Sequence, residues 1–221
     1  MSQDWERARN PAQKAVRRDA ILDAARTLFA ELEYDEISLN AIAREAGISK
    51  PNVYRYFSTR EEIYLAIFEE ERDRFAEDFA QRLKRSRIKD PIERVSRVWV
   101  AASLASRTWM DLVPLIAISL ERNSSIEQIV QFKTAGRACF GKLTDHLHDS
   151  MPVLSEAEWL LIVQCVFAFM AGLWPLANPS SRVQEAMAHP DVDEAPWQFD
   201  EMFERGVTAM IRGTLDAKRH G

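Results

Sequence analysis

The chain has 221 residues, 47% hydrophobic and 29% charged, a composition that excludes a disordered or fibrous protein and allows a substantial buried core. Seven glycines and long stretches rich in Ala, Leu, Glu and Arg point to helix throughout. The net charge of −5 hides an asymmetry, since residues 1–60 carry 10 Lys+Arg against 9 Asp+Glu and residues 61–221 carry 19 against 25.

In chain order, Asn10-Pro11 reads as an N-cap followed by proline at the first helical position. Ile21, Ala25, Leu28, Phe29 and Leu32 then form one apolar stripe of a first helix, with Arg17, Arg18 and Arg26 on its polar face. After a break around Glu33–Glu36, Ser38 and Ser49 cap two short helices, Leu39–Ala46 and Lys50–Phe57. Thr59-x-x-Glu62 is a capping box that opens a long fourth helix, whose buried side is Ile63, Ile67, Phe68, Phe75, Phe79 and Leu83. The basic run Lys84–Lys89 reads as a junction. Further capping boxes at Asp90, Ser124 and Ser155 mark later helix starts, and Pro114 interrupts the stretch 91–121. Residues 178–197, with three prolines, read as a loop before a last helix from Phe199 to Lys218. That helix buries Phe199, Phe203, Val207, Met210 and Leu215. About nine helices result, an all-α chain.

The informative window is SLNAIAREAGISKPNVYRYF, residues 38–57. Two helices that cross closely need a small residue at the approach and a residue tolerant of positive φ in the turn, and Ala43 and Gly47 supply these. Ile42, Ile48 and Val53 form the wedge beneath. The second helix offers Lys50, Pro51, Asn52 and Arg55, residue types that read guanine, thymine methyl and adenine edges in a major groove. Tyr54, Tyr56, Ser38, Ser49 and Arg60 are candidates for phosphate oxygens, while Tyr54 and Tyr56 also suit half-buried packing. Acidity overall does not oppose this, because attraction to phosphate fades within a Debye length of roughly 8–10 Å.

With RRDAILDAARTLFAE before it and STREEIYLAIFEE after it, this window resembles the N-terminal domain of the TetR family of bacterial repressors, over residues 17–68. Pro51 stands where family members often carry Gly, and Arg60 where they often carry Lys. The resemblance implies base contacts from Asn40, Lys50, Pro51, Asn52 and Arg55, and phosphate contacts from Ser38, Ser49, Tyr54, Tyr56 and Arg60. It implies a helix-turn-helix DNA-binding domain over 11–60, extending with the start of helix four to about 68, and an effector-binding and dimerisation domain over 61–221. The implied function is a ligand-responsive repressor released from a near-palindromic operator. An activator on the same fold, or a helical interaction module without DNA binding, are the alternatives.

The second domain is rich in large side chains. The resemblance places an effector cavity among its middle helices, with Trp99, Trp109, Phe132, Phe140 and Phe167 as walls and Arg137 or Gln164 as polar contact. Residues 159–177 contain Gln164 as their one polar residue, near the length of a membrane span. Acidic residues at one end and Pro175 at the other favour a helix buried between subunits. The resemblance implies a homodimer through helices near 156–177 and 199–218, not a membrane span.

Cys139 and Cys165 lie in apolar helical stretches and read as reduced core residues of a cytoplasmic protein, and the N-terminus carries no secretory pattern. His146 and His148 are spaced i, i+2, which puts them on different sides of a helix. No nucleophile–base pair or phosphate loop is present, so neither catalysis, cofactor nor metal is expected.

Overall fold

The computed structural model describes residues 11–220, so the expected cap at Asn10 lies outside the described residues. Helix α1 (Pro11–Glu31) buries Ile21, Leu22, Ala25 and Leu28. Leu32, expected on this stripe, is 41% exposed, because the helix ends at Glu31 and a 3₁₀ turn (Tyr34–Glu36) carries Tyr34 into the core instead. Ser38 caps α2 (Leu39–Glu45) by accepting from the Ala41 N–H. The following helix α3 (Lys50–Val53) is shorter than its sequence pattern, since successive i→i+3 bonds tighten the chain through Tyr56.

Helix α4 (Arg60–Arg85) runs 26 residues, a rod of about 39 Å at 1.5 Å per residue. Thr59 accepts from the Glu62 N–H as its capping box requires, but the Glu62 carboxylate takes the Ser58 N–H, one residue early. All six apolar residues expected on its inner face are buried. Its first turns pack on α1, and its later turns on the second domain, so one rigid element spans both.

That domain comprises α5 (Pro91–Ala105), α6 (Arg107–Leu112), a π-helical turn (Ile116–Leu120), α7 (Ile126–Ser150), α8 (Glu156–Ala177), α9 (Ser181–Met187) and α10 (Phe199–His220). Pro114 falls in the break after α6, as its missing N–H requires. Ser125, not Ser124, caps α7, and the Ser124 hydroxyl instead bonds back to the Leu120 carbonyl. The stretch 178–197 is not all loop: α9 occupies part of it.

Helix α10 packs against α5 and α8 through Phe199, Phe203, Val207 and Ile211, while Met210 and Leu215 are only partly buried. Gly206 lets it approach α8 closely, for a Cβ there would lie 2.4 Å from the Phe169 ring. On α8 itself, Trp159, Ile162, Val166, Met170 and Leu173 face the core. Its opposite side leaves Leu160, Leu161, Cys165, Ala168, Gly172 and Leu176 exposed, which corrects the expectation that Cys165 is a core residue. Among the described residues, α8 is the one helix long and apolar enough to cross a membrane.

Candidate DNA interface and effector cleft

The turn between α2 and α3 is closed by two crossed backbone bonds, Ile48 N–H to Ala43 O at 2.9 Å and Gly47 N–H to Arg44 O at 3.1 Å. This is the Schellman arrangement, which needs a left-handed residue at its corner, and Gly47 sits there at φ +64°. Ile42, Ala43, Ile48 and Val53 are buried beneath it, which fixes the angle at which α3 leaves the domain.

Fixing that angle leaves one face of the unit open. Asn40, Ser38, Ser49, Lys50, Pro51, Tyr54 and Arg55 are exposed, and Asn52 is half-buried. The two tyrosines divide: Tyr54 is 50% exposed with the Lys50 ammonium 5.8 Å from its ring centre, whereas Tyr56 packs against the core. Arg55 forms no ion pair among the described residues, so its guanidinium is available to an outside acceptor.

Arg60 is committed inward instead. Its Nη1 donates to the Tyr34 carbonyl at 2.9 Å and to the Ile37 carbonyl, and its Nε donates to Glu61 at 3.0 Å. Its guanidinium also stacks 4.4 Å from the Tyr34 ring centre. These bonds hold the 3₁₀ turn against α4, so the geometry gives Arg60 a structural task.

Tyr34 is the hub of this corner. Its hydroxyl donates to Glu61 at 3.4 Å and accepts from Ser119 at 3.3 Å, while its ring meets Tyr64 edge-on. Burial pushes its pKa up to about 12, against the opposing Ser119 bond. Burial raises Tyr64 as well, whose hydroxyl donates to the Ala25 carbonyl. Neither phenol ionises at neutral pH; both serve as hydrogen-bonding struts.

In the second domain a cleft of about 390 Å³ opens between α4, α7, α8 and the π-helical turn. Of the seven expected pocket residues, Phe132, Arg137, Phe140, Gln164 and Phe167 line it. Trp99 and Trp109 do not; they wall a separate, much smaller space, which Phe140 and Phe167 also border. There Trp109 stacks on Phe75 at 4.1 Å and Trp99 meets Phe79 edge-on at 5.2 Å. Sequence reasoning missed Arg72 and Ile116. Arg72 borders both spaces and had one signal, a charge four residues after Phe68 and three before Phe75 on the buried stripe of α4. No group of three or more His, Cys, Asp or Glu is arranged to hold a metal among the described residues. The His148 Nδ1 lies 2.8 Å from the Leu154 carbonyl.

The chain matches two family descriptions: bacterial regulatory proteins of the tetR family over residues 21–67, and the tetracyclin repressor-like C-terminal domain over residues 69–218. It belongs to the TetR family. The junction of the two TetR matches falls at residue 68, on α4, where the first domain's packing hands over to the second's.

Among curated relatives, an uncharacterised HTH-type transcriptional regulator of Mycobacterium tuberculosis is 33% identical over 114 residues, 52% of each chain. The match thus spans about half the length of that relative. Among solved structures, the fatty acid degradation regulator FadR of Bacillus halodurans is 16% identical with a TM-score of 0.55, covering 91% of this chain and 97% of that one. RolR in complex with resorcinol is 20% identical with the same TM-score, covering 91% and 90%. These two structures share the fold of both domains.

Proposed function

We propose that this TetR-family chain is a homodimeric repressor that leaves a near-palindromic operator when a small molecule fills the cleft of the second domain. The carrying observation is the π-helical turn, which serves both sites. Ile116 at its start lines the cleft, and Ser119 in its middle donates to Tyr34 of the DNA-binding domain. A ligand that displaces the turn therefore pulls on the corner that Tyr34 and Arg60 hold against α4. Single turns of π-helix frequently occur at functional sites. The resorcinol complex of RolR supports a small-molecule occupant on this fold.

The base-reading residues in this proposal are Asn40, Lys50, Pro51, Asn52 and Arg55, with phosphate oxygens bonded by Ser38, Ser49 and Tyr54. Tyr56 and Arg60 instead brace the domain. The apolar stripe left open on α8 meets its counterpart in a second copy, flanked by the exposed side of α10. Two recognition helices then reach half-sites about 34–36 Å apart. The site is in the cytoplasm with the operator, and it binds without catalysing.

The test is fluorescence anisotropy with labelled DNA from the promoter region of the chain's own gene. Salt-dependent, sequence-selective binding by a dimer is expected, weakened by the cognate ligand. Binding to random duplex with equal affinity would overturn the reading.

A further inference from the structure

Among the described residues Arg72 is the one buried cation, 4% exposed in the middle of α4. Its Nε and Nη2 both donate to Asp73 Oδ1, at 2.9 and 2.8 Å. That carboxylate belongs to the surface, its side chain 61% exposed. The remaining nitrogen, Nη1, is buried without any hydrogen-bond partner. It packs beside Gly136 of α7, 3.8 Å from where a Cβ would sit, an ordinary van der Waals contact. The neighbouring Cys139 thiol is within hydrogen-bonding reach of the Arg72 guanidinium, but burial pushes it further from ionisation, so it does not balance the charge. A buried guanidinium nitrogen without an acceptor is costly, and a side-chain shift that admitted one would relieve that cost.

Two further observations concern the same place. The indole Nε1 of Trp109, in the smaller space that Arg72 also borders, is a second buried donor without an acceptor. The cleft itself carries Arg72, Lys133 and Arg137; Asp73 outside it pairs with the first and Glu121 within it with the second at 2.6 Å, which leaves Arg137 in excess. The rest of its wall is apolar, with Phe68, Phe132, Phe140 and Phe167. Donors without acceptors, an excess of positive charge and an aromatic wall together define the complementary molecule.

We propose that the effector is an amphipathic carboxylate, its headgroup accepting from Arg72 Nη1 and its apolar body lying in the cleft against these four phenylalanines. This rests on the reading of the cleft as the effector site. The headgroup supplies the charged acceptor that the neutral Cys139 thiol does not, which makes the bond a charge-assisted one. Because Arg72 stands on α4, the ligand engages directly the helix that joins the two domains.

Calorimetric titration of the full chain, without DNA, tests this with decanoate and 4-phenylbutyrate against decanol and 4-phenylbutanol. The acids should bind at least about tenfold more tightly than the alcohols, the scale of one charge-assisted bond. R72Q should bind acid and alcohol alike, and R72K should keep part of the preference. Circular dichroism verifies that each variant is folded, and the acid–alcohol comparison on the parent chain stands whether or not R72Q folds. Equal binding of acids and alcohols, no binding of either acid, or full acid affinity in folded R72Q would overturn the proposal. Operator release is measured separately by anisotropy. Release by a neutral compound would leave the repressor reading intact while the anion assignment fails, and tight acid binding without release would do the reverse.

Discussion

The Ser119 hydroxyl donates to the Tyr34 hydroxyl across 3.3 Å, the side-chain bond by which the π-helical turn of the second domain holds the 3₁₀ turn of the first. Ser119→Ala removes that bond alone, since Tyr34 keeps its bond to Glu61, its contact with Tyr64 and its stacking beneath Arg60. The expected cost in stability is about 0.5–1.5 kcal/mol, the net worth of one hydrogen bond. The larger consequence should be functional: ligand-induced weakening of operator binding drops by roughly 2- to 10-fold, with operator affinity in the absence of ligand unchanged. An unaltered response to ligand would remove this turn from the coupling.

Arg60→Lys separates bracing from phosphate binding. A lysine ammonium keeps the charge but cannot bond two carbonyls, reach Glu61 and stack on Tyr34 together. The variant should lose about 1–3 kcal/mol of stability, seen in urea unfolding. For Arg60→Ala, the dependence of operator binding on salt should keep its slope. A phosphate contact would instead lower that slope by about one.

What was legible in the sequence was local. Ser38, Thr59, Asp90 and Ser155 announce their helices because the acceptor and the N–H it takes lie three residues apart. Where two neighbours compete, as at Ser124 and Ser125, the pattern does not choose between them. Gly47 was readable for the same reason, as a local demand for positive φ. The residues missed or misassigned owe their roles to distant chain. Arg60 turns inward because the carbonyls of Tyr34 and Ile37, more than twenty residues earlier, point at it. Arg72 is desolvated by α7, where Gly136 faces it, and the one local hint on α4 is its place between Phe68 and Phe75 on the buried stripe. Cys165 looked buried because its helix is apolar on all sides, and only packing shows which side meets the core.

Arg55→Ala tests direct readout. The side chain is exposed and unpaired beyond the short α3, free to present its two-pronged donor face to a base edge. Truncation should cost about 1–3 kcal/mol at one operator base pair, with substitutions at that position becoming neutral in the variant. Equal weakening on operator and random duplex would move Arg55 to the phosphate group.

Glu158 predicts a stability that depends on acid. Its Oε2 accepts from the Ser155 N–H and hydroxyl, both at 2.7 Å, and pairs with Lys218 near the end of α10 at 3.2 Å. The Ser155 bonds, aided by Lys218, hold its pKa down to about 2, against an ordinary 4.5. A carboxyl depressed in the folded state contributes fully above the unfolded value and loses its contribution as pH falls toward the folded one. The stability difference between the parent chain and Glu158→Gln should therefore be constant above pH 4.5 and shrink toward pH 2. Chemical unfolding at stepped pH measures it, and a difference independent of pH would count against the charged cap.

Leu161→Arg addresses assembly without touching the protomer's core. Leu161 is 56% exposed at the centre of the open α8 stripe, so a long charged side chain there reaches solvent in a single chain. Against a second copy the same charge would be buried beside its own counterpart, with no acceptor to match it. The expected result is a folded monomer by sedimentation, with helical content unchanged. Operator affinity should then fall by roughly 10²- to 10⁴-fold, because two half-sites are no longer held by one molecule. A dimer that survives the substitution, with operator binding intact, would place the interface elsewhere and leave the apolar face of α8 to another partner.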